Sequence, residues 1–169
     1  MDRRLDLGGG LSNLSEMFEH DSWANQRLLE HCATLPPEVL EQTAPGTYGS
    51  IIDTLRHIAG AEERYLCFLE DRPRRPELME NAGLDTATLR ETALDRAERW
   101  RKLVAVEPDP MAVITRKRSD GTDDAVTART VLVQAIHHGN DHRTHICTIL
   151  GAQGRQAPVL DAWHFYGES

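Results

Sequence analysis

At 169 residues, 40% apolar and 27% charged, the chain has the size and composition of one soluble globular domain with a substantial core. Its formal charge of -8 argues against a duplex nucleic-acid surface, which needs a basic stripe to displace counterions. No apolar run approaches the length of a membrane span, and the opening MDRRLDLGGG lacks the apolar centre of a secretory leader.

These features predict a cytoplasmic protein with a flexible segment over residues 1–11 and a single domain over 12–169. Cys32, Cys67 and Cys147 agree with a reduced compartment: they are odd in number, far apart and each set in an apolar helical pattern. Short basic runs from Arg72 to Arg75 and from Arg116 to Arg118 fall in loop-like sequence and read as solvated charge.

The first predicted helix opens at Asn13, whose spacing to Glu16 is that of a capping box, and carries Leu14, Met17, Phe18, Ala24, Leu28, Cys32 and Leu35 at helical intervals. Pro36-Pro37 stops it, and a loop without periodicity follows to Gly49. His20 and His31 lie on this helix and read as surface or helix-end residues.

Ser50 with Asp53 opens a second helix through Ile51, Leu55, Ile58, Ala61, Tyr65, Phe68 and Leu69. His57 flanks its apolar face. Glu62 reads as a hydrogen-bond acceptor supporting His57, as an additional carboxylate ligand, or as an exposed residue paired with Arg64 or another base. A proline-bearing loop runs from Asp71 to Gly83, and a third helix from about Thr86 carries Leu89, Ala93, Ala97, Trp100 and Val104 up to Pro108. Met111 to Ile114 and Ala125 to Val126, with Asp120-Gly121 between them, predict a short β-ribbon.

Thr127 then caps a fourth helix reaching Leu150. Val131, Ala135, His138, His142, His145 and Ile149 recur along it at spacings of four and three, so imidazoles stand where a bundle helix places apolar knobs. His138 and His142 are one turn apart and their ring nitrogens can converge on a metal ion; a hydrogen-bonded polar cluster satisfies the same spacing. His137 lies about 100° round the helix and is expected to face water. The tail after Gly151 is loop-like, with Leu160, Trp163, Phe165 and Tyr166 expected to fold back. Four helices of similar length, undivided by repeats or linkers, predict an all-α four-helix bundle, with connections long enough to cross over.

Four segments in order resemble the DinB/YfiT-like superfamily of metal-binding four-helix bundles: SWANQRLL (Ser22 to Leu29), DTLRHIAGAEERYL (Asp53 to Leu66), HGNDHRTH (His138 to His145) and LDAWHFY (Leu160 to Tyr166). The resemblance implies a divalent transition metal, zinc or nickel by preference, held by one histidine of the second helix and two of the fourth, here His57, His138 and His142. It further implies a small-molecule substrate, a low-molecular-weight thiol such as bacillithiol, mycothiol or glutathione as co-reactant, and a homodimer.

Three histidines leave an open coordination position, the arrangement of catalytic zinc sites. The leading expectation is a metal-dependent S-transferase; the alternatives are a metal-assisted hydrolase and a non-catalytic scaffold protein. A zincin protease is excluded by Gly139, which stands where the catalytic glutamate would be. Thr144-His145 departs from the common family pattern of Gly-Gln, so His145 enters as a lining residue, a base or a competing ligand, and no catalytic residue is assigned.

Overall fold

Each long helix begins where a side chain can satisfy the first free N–H groups, or where a preceding strand delivers the chain. The structure, a computed structural model, describes residues 12–79, 82–117 and 120–167; the segment 1–11 expected to be flexible lies outside them. Helix α1 (Asn13–Ala33) starts one residue earlier than the capping box suggested, because the Ser12 hydroxyl accepts from the Ser15 N–H. The predicted loop after it contains a four-residue helix, α2 (Pro37–Leu40), with Pro37 in the first turn, where its missing N–H costs nothing. Helix α3 (Ile51–Leu69) opens at Ser50 as expected, the hydroxyl accepting from the Asp53 N–H and donating to its carboxylate.

A 3-10 turn at Pro76–Leu78 interrupts the next loop, and Asp85 caps α4 (Thr86–Ala105). The expected ribbon pairs β1 (Val113–Lys117) antiparallel with β2 (Asp123–Thr127), Val113 opposite Thr127. Helix α5 (Ala128–Ala152) follows directly. Thr127 occupies its N-cap position, but the hydroxyl meets that of Thr130 rather than a backbone N–H. A five-residue helix not foreseen in the tail, α6 (Ala162–Tyr166), is capped by Asp161.

Helix α1 packs on α4 and α5, and α3 packs on the same two. The ends of the helices are sorted by two apolar clusters. One joins Leu28 and Cys32 of α1, Ile51 to Ala59 of α3, Leu89 and Ala93 of α4, and Ile146 to Leu150 of α5. The other joins Phe18, Leu66, Trp100 and Val104 with Val131, Leu132 and Ala135, and the ribbon's Ile114 and Val126 pack against it. Helices α1 and α5 therefore run one way and α3 and α4 the other, which requires the α3–α4 connection to return along the bundle. Arg56 of α3 holds the far end of that return by donating to the carbonyl of Leu84, so the crossover allowed by loop length is present. Met17, placed in the α1 stripe by periodicity, is 51% exposed; in the tail Leu160 and Phe165 are partly covered while Trp163 and Tyr166 are exposed.

Between the two clusters lies a buried polar layer with one or more residues from each long helix. Arg143 of α5 ion-pairs with Asp21 at 2.7 Å and donates to Asn25 Oδ1 at 2.8 Å. Asn25 donates on to Glu62 at 3.0 Å, and Glu62 also accepts from Arg96 Nε at 3.0 Å. Glu62 is thus paired with a base, as one reading had it, but the base is Arg96 and the residue is only 6% exposed. Burial pushes the Asp21 carboxyl up to about 6 despite the pull of Arg143, and Glu62 adds to the push.

Gly139 lets this layer close. A Cβ there would lie 2.9 Å from Arg143 Nη1, which Asn25 holds, and 3.0 Å from Asp21 Oδ1, which the ion pair holds. Gly139→Ala is therefore expected to destabilise the protein by about 1–3 kcal/mol, the usual cost of overpacking, despite alanine's better helix propensity. Urea denaturation checks this; a stabilised variant would show that the layer yields freely.

A third buried carboxylate, Glu63, pins the crossover. Arg75 donates to it at 2.9 Å through both Nε and Nη2, and Arg99 of α4 at 2.7 Å. Burial alone would raise this carboxyl, but the hydrogen bonds and charges of Arg75 and Arg99 outweigh it and bring Glu63 down to about 2. Because the unfolded chain titrates this group near its ordinary value of 4.5, the stabilisation is complete above that pH and is lost as the pH falls towards 2. Acid unfolding should show a loss of roughly 2–3 kcal/mol across that window, and Glu63→Gln should flatten it. Equal slopes for the two proteins would remove Glu63 as the cause.

Candidate metal centre

Facing positions on α3 and α5 bring His57, His138 and His142 together. His57 lies two turns into α3 and flanks the apolar face, and the turn between His138 and His142 sets their rings side by side along α5. Nε2 of His57 is 2.9 Å from Nε2 of His138, and one ring nitrogen from each of the three lies within 4.8 Å of the others. Ring centroids are 4.4–4.7 Å apart. Among the described residues this is the one such group of three histidine, cysteine or carboxylate ligands.

The donors fit a metal ion. An ion ~2.1 Å from each nitrogen in tetrahedral geometry separates the nitrogens by roughly 3.4 Å, so the His57–His138 pair, at 2.9 Å, needs to open by ~0.5 Å. Ligation also requires neutral imidazole. Burial, followed by the proximity of His142 and His57, pushes His138 down to about 4, so it is neutral at physiological pH.

The three rings are half-buried and stand at the edge of the polar layer, outside it. The buried line of α5 runs through Val131, Leu132, Ala135, Gly139, Arg143, Ile146 and Ile149, so the histidines flank the core rather than occupy its centre. Periodicity of three and four could not distinguish these two faces, since Gly139 and Arg143 do not read as core residues. His137 is exposed, as expected. His145 stays outside the group of three that could hold a metal: its ring meets His142 edge-on at 5.2 Å, and its Nδ1 is buried without a hydrogen-bond partner. Glu62 faces the polar layer and does not join the histidines.

Two aromatic residues wall the triad. Tyr48, in the loop before α3, stacks on His57 at 4.0 Å with the planes 22° apart and meets His142 edge-on. Tyr65 of α3 presents its ring to His138 at 5.8 Å. Beyond Tyr48 lies a groove of about 720 Å³, and beyond Tyr65 another of about 910 Å³.

The DinB family profile matches residues 6–167, nearly the whole chain. The chain belongs to the DinB family. No curated protein matches it. In this DinB protein the sequence motifs that resembled the family contain all three triad histidines, and the bundle sets them on facing helices. Tyr48 was not legible in the sequence: it lies in a stretch without periodicity, and its only signal is its place two residues before the Ser50 cap. Tyr65 was read as a core residue, which it also is, being buried in the cluster around Trp100.

Proposed function

We propose that this DinB protein is a metal-dependent S-transferase that activates a low-molecular-weight thiol against an electrophilic small molecule, with His57, His138 and His142 holding a zinc or nickel ion. The observation that carries this reading is the convergence of three imidazoles from two helices at a half-buried edge flanked by grooves. Three protein ligands leave a position for a reactant, as closed four-ligand structural sites do not. When bound, the ion would supply Lewis acidity that lowers the pKa of a thiol into the neutral range.

The chain's own groups then orient and exclude. Tyr48 fixes the plane of His57 by stacking, Tyr65 closes the side of His138, and the depressed His138 keeps its nitrogen lone pair available. In the transfer, the thiol proton passes to solvent, sulfur forms the new C–S bond, and the leaving group departs with its bonding pair. The state of the cysteines favours a small molecule as the source of the sulfur. Burial pushes the Cys32 thiol up to about 12 and raises those of Cys67 and Cys147, leaving no reactive protein thiolate.

Zinc- or nickel-loaded protein is expected to consume glutathione or a related thiol in the presence of 1-chloro-2,4-dinitrobenzene, at a rate that falls to background after chelation. Background rates across several thiols, with metal-dependent ester hydrolysis instead, would replace this reading with the hydrolase.

A further inference from the structure

The two grooves beside the triad share two residues, Arg64 and Arg74. Sequence position made Arg74 part of a solvated loop run, but the returning crossover lays it against α3. The Arg74 guanidinium sits 5.2 Å above the ring of Phe68, and Arg64 sits 5.5 Å from that of Tyr65, the residue that contacts His138. Stacking on an aromatic face leaves the N–H edges of a guanidinium free to donate.

Other charges along the grooves are already matched. Arg116 pairs with Asp124 at 2.6 Å and Lys117 with Asp123 at 2.9 Å; Glu63 is held by Arg75 and Arg99, Asp53 by Ser50 and Arg56, and Asp120 by Thr122. Arg64 and Arg74 have no carboxylate partner among the described residues. Arg74 is exposed and Arg64 half-buried; the desolvation of Arg74 against its neighbours, then the charge of Arg64, disfavours its protonated form. Two arginines held near each other without an anion, in a protein of net charge -8, form a local positive site that an incoming anion relieves.

We propose that the small molecule taken by this site is an organic anion whose carboxylate or phosphate group docks between Arg64 and Arg74, with its reactive end towards His57, His138 and His142. The orientation rests on the triad being the reacting centre; the anion subsite does not. Arg64 lies against Tyr65, whose ring meets that of His138 at 5.8 Å, so the two sites suit one small molecule.

Calorimetric titration of malonate, inorganic phosphate and neutral malonamide into zinc-loaded and chelator-treated full-length protein tests this. Malonate and phosphate are expected to bind both forms with dissociation constants within about threefold, and malonamide to bind neither. Arg64→Gln and Arg74→Gln should each weaken malonate at least tenfold at an unchanged melting temperature, while Arg72→Gln, outside both grooves, leaves it unaltered. No saturable anion binding, binding indifferent to both variants, or binding that vanishes with the metal would overturn the proposal. Failure of the metal reading would appear separately, as absent zinc with anion binding intact. In turnover assays malonate should compete with the thiol if the thiol carries the anion and with the electrophile if that reactant does; competition with neither also overturns it.

Discussion

His142→Ala is expected to abolish stoichiometric metal binding while leaving the helical fold in place. Loss of a partner that merely supports a ligand typically costs 10–100-fold in metal affinity, and loss of a ligand itself should exceed about 100-fold. The fold should survive because His142 flanks the buried line of α5 and its ring packs on Tyr48, His57 and His145 outside both apolar clusters. Metal analysis after gel filtration with excess zinc checks the first half, and circular dichroism the second. His137→Ala, on the exposed face of the same helix, is the control and should bind like the native protein.

Zinc should also stabilise the native chain in a concentration-dependent way, by about 2.7 kcal/mol at a hundred times the dissociation constant, seen as a rising melting temperature, and should leave the melting temperature of His142→Ala unmoved. Native protein that takes up no metal, or a variant that retains it, would sink the assignment of the triad.

Arg143→Met should destabilise the protein by about 3–5 kcal/mol, the cost of stranding one partner of a buried ion pair. Asp21 and Asn25 both lose their cation, in a layer where Asp21 is 3% exposed and Asn25 is 6% exposed. The loss should depend on pH. Asp21 already sits above its ordinary 3.8, and without Arg143 it rises further; a raised acid stabilises the fold in its neutral form, so stability falls as the pH climbs from 3.8 through the folded value. The variant should therefore be least compromised in mild acid, and adding Asp21→Asn should recover part of the loss at neutral pH. Urea denaturation at pH 5 and pH 8 measures both. A cost under about 1 kcal/mol would mean that the layer is not closed.

Much of this molecule is legible from apolar spacing, because four long segments each bury one face and little else competes. Ser50 and the ribbon around Asp120-Gly121 declare themselves by local chemistry, and the triad by family motifs laid over helical spacing. What escapes is made by tertiary contact between polar residues. Asp21, Asn25, Arg96 and Arg143 look like surface residues on their own helices, and only their meeting explains their burial. Arg74 and Tyr48 escape for a related reason: each lies in aperiodic sequence and gains its place from where the chain is led back, by the Pro73 to Leu84 return in one case and by the approach to α3 in the other.

The polar layer also bears on how steadily the three donors stay in line. Arg143 lies one residue beyond His142 and five beyond His138, while Glu62 lies five beyond His57, so the contacts that lock α5 to α1 and α3 to α4 are on the helices that carry the three histidines. Sliding α5 by one turn, about 5.4 Å, would tear Arg143 from Asp21 and carry His138 away from His57 in the same movement. The layer is thus an axial detent for the site: an apolar core of equal volume would tolerate such a slip far better, and the donors would have no fixed index between the two helices.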